Sequence, residues 1–192
     1  MVQKLQDLGN TIYSRCYTED KRNNKNMMLK EIVQMYQPET ITTNDLIEDG
    51  NYYVYGSGGI IGKYNKYNHK ESEVMISCRG LCGNVTLSLP KSWIIGNQMV
   101  MQFNNFIYKY YIFNYLKNID LTKVETGSVQ KQITRKNLEQ LIINVPSEQI
   151  LLKYSNIFKE IYFKINNSIL ETEKLKNLKS SLLPLLINGQ LS

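Results

Sequence analysis

Apolar residues recur at helical spacing close to the start of the chain. The first four are Met1, Leu5, Leu8 and Ile12, and their spacing predicts a short N-terminal helix that needs a partner helix. The polar stretch TEDKRNNKN follows this helix and ends it. A second short amphipathic helix is predicted from Met27 to Gln37, where the next residue is a proline.

The middle of the chain has the pattern of short strands. VMISC begins at Val74, and VTLSL begins at Val85 with apolar and polar residues in strict alternation. Glycine and proline signals separate these segments into strands and turns. The aromatic segment FIYKYYIFNYLKNI, from Phe106 to Ile119, predicts a mostly buried helix, so the middle is a mixed α/β domain.

Beyond Pro146 the apolar residues keep a strict three-four spacing, which predicts a coiled-coil helix of about 34 residues, roughly 50 Å long. We expect Pro184 and Gly189 to end it. One alternative is a helix that lies on the central domain, but so narrow and long a seam favours a partner helix. The predicted partner interface consists of Leu151, Tyr154, Phe158, Ile161, Ile165, Thr172, Leu175 and Leu182, and Ser168 adds a polar position near its middle.

These patterns predict an α+β protein in three parts. A short N-terminal helix over residues 1–20 packs on the helical region, a mixed α/β domain spans residues 21–146, and a long coiled-coil-forming helix occupies residues 147–192. A chain of 192 residues is long enough to bury a sizeable core.

The composition limits the cellular compartments in which the protein could be located. No apolar run of about 18 residues is present, which excludes a membrane span, and the N-terminus lacks the apolar core of a signal peptide. We therefore expect a cytoplasmic protein. Three cysteines and a single histidine provide neither a set of disulfides nor a complete zinc site, so neither metal nor cofactor is expected.

Charge is distributed unevenly along the chain. Residues 51–145 carry eleven Lys and Arg against five Asp and Glu, and this segment accounts for the net charge of +6. Tyrosines and asparagines lie among these lysines, which favours a polyanionic partner. A merely solvated basic surface remains the alternative.

The stretch YGSGGIIGKYNKYNHK, from Tyr55 to Lys70, contains four glycines within seven residues. A phosphate-binding loop is excluded, because Ser57 replaces the first required glycine and Tyr64 replaces the hydroxyl residue after Gly62-Lys63. The stretch instead predicts a glycine-rich turn that presents a basic loop.

Two candidate surfaces for a polyanionic partner follow from these residues. Lysines would neutralise phosphates, and amide side chains would read base edges. In the first surface, the loop after the glycines, the repeated KYN triplet supplies both kinds of group. In the second surface, Thr134 to Asn137 opens a helix whose backbone amides would meet phosphate. The predicted contacts are Ser57, Lys63, Tyr64, Asn65, Lys66, Tyr67, Asn68, His69 and Lys70, then Arg79, and then Lys131, Gln132, Arg135 and Lys136. The alternatives are a solvated loop for the first surface, a structural turn for Arg79 and a simple helix cap for the last group.

No catalytic set is visible in the sequence. Methyl transfer to adenine would need an Asn/Asp-Pro-Pro-aromatic tetrapeptide, which is absent, and nuclease chemistry would need clustered carboxylates. Nucleophilic catalysis would rest on the lone His69. The sequence therefore predicts a binding protein and not an enzyme.

Several motifs, taken in order, resemble the specificity subunit of type I restriction-modification enzymes. They are YYVYGSGGIIGKYNKYN, VMISCRGLCGNVTL, WIIGNQMVM and the run from TGSVQKQITRKNLEQLIINVPSEQ into LLPLLINGQL. The family's turn and strand motifs match Tyr55–Gly62, Arg79–Gly83 and Gln130–Gln149. The resemblance covers nearly the whole chain, but it corresponds to one recognition domain where family members carry two.

The resemblance implies a half-length specificity subunit with one target recognition domain. Such a subunit would bind double-stranded DNA and direct the methyltransferase and restriction subunits to a bipartite site. It would pair with a copy of itself or with another specificity half-subunit. The alternative is a truncated decoy module that binds the methyltransferase or specificity subunits without productive DNA recognition.

Overall fold

A computed structural model of the protein describes residues 1–19, 21–127 and 130–187. Within these ranges the chain forms five α-helices and eleven short strands. The helices are α1 (Val2–Thr18), α2 (Leu29–Ile32), α3 (Lys109–Asn118), α4 (Arg135–Glu139) and α5 (Glu148–Ile187). The strands are β1 (Lys25–Met28), β2 (Val33–Tyr36), β3 (Tyr52–Gly56), β4 (Gly59–Tyr64), β5 (Val74–Ser77), β6 (Val85–Leu87), β7 (Trp93–Ile94), β8 (Gln98–Phe103), β9 (Glu125–Thr126), β10 (Gln132–Ile133) and β11 (Ile142–Val145).

The centre of the molecule is a four-stranded antiparallel sheet in the order β2-β8-β5-β6. Successive side chains in a strand point to opposite faces. One face contributes residues such as Val33, Ile76 and Met101 to the core that the helices cover. The other face places Met75 and Val100 against the second, three-stranded sheet. The sheet is therefore covered by helices on one side and by strands on the other.

The three-stranded sheet has the order β4-β3-β7, with β3 antiparallel to β4 and parallel to β7. Tyr55 of β3 and Ile94 of β7 are buried between the two sheets. Trp93 of β7 is also buried. The strands predicted from Val74 and Val85 are confirmed as β5 and β6.

The helix predicted from Met27 to Gln37 is wrong. This segment forms β1, the single turn α2 and then β2. Strand β2 pairs with β8, and its side chains alternate between buried and exposed, which suits the β-branched residue and the polar residues at this place. Pairing with distant strands therefore overrides the local helical pattern.

Strands β1 and β11 connect the two ends of the central domain. They pair antiparallel, from Lys25 opposite Val145 to Met28 opposite Ile142. The amide of Asn144 reinforces this pairing, because it accepts from Asn24 and donates to Asn26 at 3.0 Å each. The chain therefore enters and leaves the central domain at adjacent points.

Helices α1 and α5 run antiparallel and pack along each other. Gly9 lies opposite Ile161 and Tyr162, where a Cβ on Gly9 would be 3.6 Å from the Tyr162 hydroxyl. Farther along α1, Glu19 accepts hydrogen bonds from Lys153 and Tyr154. Helix α1 ends at Thr18, the first residue of the polar stretch that was predicted to end it, and it covers more of α5 than Met1 to Ile12 would.

The helical seam of α5 is divided between two environments. Its first five predicted interface residues, from Leu151 to Ile165, are buried within this chain's own core. Helix α3 helps to cover them, because Tyr110 stacks on Tyr162 with ring centroids 5.2 Å apart. These five residues therefore offer no free surface to another molecule. Thr172, Leu175 and Leu182 remain exposed.

Pro184 does not end α5. The helix has 40 residues and continues to Ile187, while Gly189 lies outside the described residues. A proline inside a helix removes one backbone donor without forcing the helix to stop. The α+β class, with a helix at the N-terminus and a long helix at the C-terminus, is confirmed.

Candidate nucleic-acid interface

The glycine-rich stretch forms a tight hairpin turn between β3 and β4, as predicted. Gly56 pairs with Gly59, and Ser57 and Gly58 occupy the turn between them. Gly59 has a φ of 107°, a conformation that other residues rarely adopt. The basic loop lies at the opposite end of β4, about 20 Å away for a strand of this length. The glycines therefore do not present the basic loop directly.

The turn instead packs against the loop between β5 and β6. Asn84 donates its side-chain amide to the carbonyl of Ser57 at 3.0 Å. A Cβ on Gly80 would be only 2.7 Å from the Ser57 hydroxyl, so a glycine there permits the close approach. Ser57 and Arg79 therefore belong to two loops that touch each other.

The loop over residues 65–70 is anchored by His69. This side chain is only 6% exposed. Its Nε2 lies 2.9 Å from the Tyr36 hydroxyl, and its Nδ1 lies 2.6 Å from the Asn68 side-chain oxygen. Burial lowers the pKa of His69, which keeps the ring neutral. His69 therefore holds the loop in place and is not available as a surface contact.

Asn68 is also committed to the fold. Its side-chain amide donates to the Ile94 carbonyl at 2.9 Å, and its side-chain oxygen accepts from the Ile94 amide at the same distance. The remaining members of the loop are exposed: Asn65, Lys66, Tyr67 and Lys70. The Tyr67 ring rests with its edge toward Tyr52, with the two centroids 4.9 Å apart.

Lys63 and Tyr64 belong to β4 and not to the loop. The Lys63 ammonium lies 3.9 Å from a Glu173 carboxylate oxygen of α5 and 5.6 Å from the centre of the Tyr53 ring. The Tyr64 ring packs against Trp93 with its centroid 5.3 Å away. Both side chains therefore make contacts within the protein, and Lys63 connects the hairpin to α5.

Arg79 and the second predicted surface come together in one place. They line a cleft of about 470 Å³, which we call the arginine cleft. Its polar lining consists of Gln37, Arg79, Gln132, Thr134, Arg135, Lys136 and Glu139. A neighbouring hollow shares Arg79 and Gln132 and adds Gln130 and Lys131. Residues from three separate stretches of sequence thus form one exposed cationic surface.

Backbone and capping contacts fix the walls of the arginine cleft. The Ile133 amide donates to the Cys78 carbonyl at 3.1 Å, which places β10 beside the end of β5. Thr134 caps α4 by accepting from the Asn137 amide at 3.3 Å, so the predicted cap is present. Arg135 and Lys136 follow directly in the first turn of this helix.

The cations of the arginine cleft and of the hollow beside it differ in how far they are neutralised. Lys131 lies 2.9 Å from a Glu125 carboxylate oxygen, which raises the pKa of the lysine. Among the described residues, no ion pair engages Arg79, Arg135 or Lys136. These three side chains are exposed and provide the available positive charge.

The two surfaces border each other at the end of β2. Tyr36 contacts His69 of the basic loop, and the next residue, Gln37, lines the arginine cleft. Consecutive Cα atoms are about 3.8 Å apart. The end of β2 therefore connects the anchor of the loop to the lining of the cleft. The sequence patterns did not single out Gln37 or Gln130, whose relevant neighbours are distant in sequence.

The chemistry of this surface is that of binding. Exposed guanidinium, ammonium and amide groups suit phosphates and base edges. In the described part of the chain, no group of three or more His, Cys, Asp and Glu side chains is placed to hold a metal ion. No helix within the described ranges is long and apolar enough to cross a membrane.

A mixed sheet domain with an exposed cationic and amide-rich surface, set between two helices, has the architecture of a nucleic-acid-binding module. Comparison with known protein families identifies the family within this class. The family model for the type I restriction modification DNA specificity domain matches residues 21–180. The chain belongs to this family, whose members recognise DNA and are non-catalytic.

Solved structures show the same fold at low identity. The type I restriction-modification S subunit from M. genitalium is 18% identical, with a TM-score of 0.58, over 88% of this chain and 43% of that one. A protein from a study of complex assembly and conformational transition of the type I R-M system is 14% identical, with a TM-score of 0.53, over 96% and 54%. The chain thus spans about half the length of these proteins. No curated protein sequence matches it.

Proposed function

We propose that this chain is a half-length specificity subunit that reads one part of a bipartite site in duplex DNA. The observation that carries the proposal is the arginine cleft, where Arg79, Arg135 and Lys136 are exposed without ion-pair partners in the described part of the chain. Lysines and arginines that face solvent supply the salt-dependent affinity for phosphates. Gln130 and Gln132 supply amides suited to base edges, whereas the Gln37 side-chain amide already donates to the Gly96 carbonyl at 3.0 Å.

The parts of the chain would have different functions, and their boundaries are those predicted from the sequence. Residues 21–146 would be the target recognition domain, with residues 1–20 and 147–192 as its helical flanks. The pairing of β1 with β11 supports these boundaries, because it closes the domain where the helices begin. Duplex DNA as the ligand agrees with the cytoplasmic location expected from the sequence.

The exposed half of α5 would provide the contact with other subunits. Leu175 and Leu178 are 60% and 53% exposed, and Leu182 follows on the same helix. Exposed apolar residues in a row mark an interaction site in a soluble protein. We propose that a second copy or another specificity half-subunit pairs here, with the methyltransferase and restriction subunits as further partners. Two recognition domains separated by such helices would read a site with a gap.

The test is selection from a pool of random duplexes with the purified chain, followed by titration of the selected duplex at several salt concentrations. We expect one enriched sequence and an affinity that falls steeply as salt rises. The exposed leucines of α5 also favour a second candidate, a decoy module that binds only protein partners. A chain that binds the methyltransferase subunit but shows no DNA binding at low salt would establish that alternative.

The structure refines which lysines of the first surface contact DNA. Replacing Lys66 and Lys70 together by alanine is expected to flatten the salt dependence by up to about two units, because each phosphate that is no longer neutralised reduces the slope by about 0.9. Lys63→Ala should have the smaller effect per residue, because Glu173 already lies beside this lysine. The measurement is the slope of log K against log salt for the selected duplex. A change of slope for Lys63→Ala that exceeds half of the change for the double variant would contradict this assignment.

A further inference from the structure

Gln98 occupies an unusual place at the end of the four-stranded sheet. It is fully buried, although glutamine is mostly an exposed residue. Its side-chain nitrogen donates to the Gly56 carbonyl at 2.5 Å, while its side-chain oxygen has no hydrogen-bond partner among the described residues. A buried amide with one unsatisfied group costs stability, and an apolar side chain of this size would avoid that cost. Gln98 therefore contributes the hydrogen bond to Gly56, which an apolar side chain could not form.

Gln98 connects the two loops that carry Ser57 and Arg79. Gly56 is the residue before Ser57 in the hairpin turn. On the other side, Gln98 lies directly opposite Ser77 in the pairing of β8 with β5. The Ser77 hydroxyl donates to the Arg79 carbonyl at 2.9 Å. One buried side chain and its strand partner thus hold both loops.

Asn84 provides a second, independent connection between the same loops. It lies at the end of the β5–β6 loop, and its amide donates to the Ser57 carbonyl at 3.0 Å. The Asn84 carbonyl accepts from the Ser77 amide at 3.0 Å, which fixes its own position. Together with the close approach at Gly80, this leaves the turn and the loop little freedom to move separately.

We propose that Gln98 and Asn84 are positioning residues for sequence recognition. They hold the Ser57 turn against the Arg79 loop, so that the two loops meet the DNA as one rigid element. This inference rests on the proposed function and deepens it, because it names residues that determine specificity without touching the DNA. Gln98 is buried, and the Asn84 amide is directed to the Ser57 carbonyl.

Rigid positioning affects two kinds of binding differently. Non-specific binding depends on the number of phosphates neutralised, which the removal of either amide leaves unchanged. Specific binding depends on groups held in the geometry of the base edges, and loops that move freely weaken binding because they must be ordered when the DNA binds. Removal of a positioning residue should therefore lower the preference for the correct sequence and leave the salt dependence unchanged.

The experiment uses the whole chain with Gln98→Met or Asn84→Ala. Methionine keeps the length and volume of Gln98 but cannot donate. The matched controls are Gln102→Met, an exposed position on the same strand, and Asn104→Ala, whose amide donates to the Glu31 carbonyl at 3.2 Å away from these loops. Each protein is titrated with the duplex selected by the unmodified chain and with a shuffled duplex of the same composition, at several salt concentrations. Thermal unfolding is recorded in parallel.

We expect Asn84→Ala and Gln98→Met to reduce the preference for the selected duplex by about tenfold, equivalent to about 1.4 kcal/mol. The affinity for the shuffled duplex should stay within about twofold of that of the unmodified chain. The salt slope should stay within about half a unit. The controls should keep the full preference. If Gln98→Met fails to fold, Asn84→Ala decides the question, because its side chain is only partly buried.

The possible failures are distinguishable. If the unmodified chain shows no preference for any duplex, the proposed function is wrong and the inference fails with it. If the unmodified chain discriminates and Asn84→Ala discriminates equally well, only the inference is wrong. A parallel decrease of affinity for both duplexes, with a changed salt slope, would also overturn it, because that pattern indicates that fewer phosphates are neutralised.

Discussion

Replacing Arg79, Arg135 and Lys136 together by alanine is expected to abolish most of the DNA affinity of this protein. Each cation is exposed at the arginine cleft and lacks an ion-pair partner among the described residues. Leaving three phosphates without their cations would flatten the salt slope by up to about three units and weaken binding on the order of a hundredfold at about 0.1 M salt. Filter binding or fluorescence anisotropy over a salt series measures both quantities.

The control for this triple variant removes the same charge elsewhere. Lys159, Lys164 and Lys174 are exposed on α5, and their replacement by alanine also lowers the net charge by three. We expect this control to change the salt slope much less, and both proteins to unfold within a few degrees of the unmodified chain. Equal decreases in affinity for the two triple variants would show that total charge, and not the cleft, determines DNA binding.

The second large effect concerns assembly. Replacing Leu175 and Leu182 by glutamate is expected to separate the associated chains into monomers. Burying a leucine contributes about 1.5–3 kcal/mol, so the removal of two should raise the dissociation constant more than a hundredfold. Both side chains are exposed in the single chain, so its own fold should keep its stability. Light scattering and sedimentation at tens of micromolar give the mass of the particle.

Lys174→Gln with Lys176→Gln is the matched control, because it makes the same change in net charge on the same part of α5. This variant should associate like the unmodified chain. An unmodified chain that stays monomeric at this concentration and also fails to bind the methyltransferase subunit would contradict the role proposed for α5. DNA selected as a single uninterrupted site would contradict the proposed spacing of two recognition domains.

The reliability of prediction from the sequence depended on how local each signal was. The hairpin turn was predictable because Gly56 and Gly59 lie only three residues apart and Gly59 adopts the positive φ that glycine allows. The strand β2 was not, because its partner β8 comes much later in the chain and decides its conformation. The seam of α5 and the packing of the N-terminal helix on it were predicted, but the sequence did not show that α3 also covers the first half of the seam.

For the candidate site too, features that depend on nearby residues were predictable and features that depend on distant residues were not. The basic and amide residues were found from composition, but their availability depends on distant partners. Glu173 lies beside Lys63. His69 is buried and hydrogen-bonds to the Tyr36 hydroxyl. Gln98 and Asn84 carried no sequence signal, because their significance lies in two loops that meet only in the folded chain.

The pairing of β1 with β11 also bears on how such a protein changes its target. Both ends of the recognition domain are held within one small two-stranded sheet, while α1 and α5 pack on each other through their own residues. An exchange of the segment between these strands would keep the direct contacts between α1 and α5, but it would also replace α3, whose Tyr110 stacks on Tyr162 of α5. Under the proposed function, recombination at the sequences that encode β1 and β11 would give a new DNA specificity only where the incoming segment again supplies a helix that packs on α5.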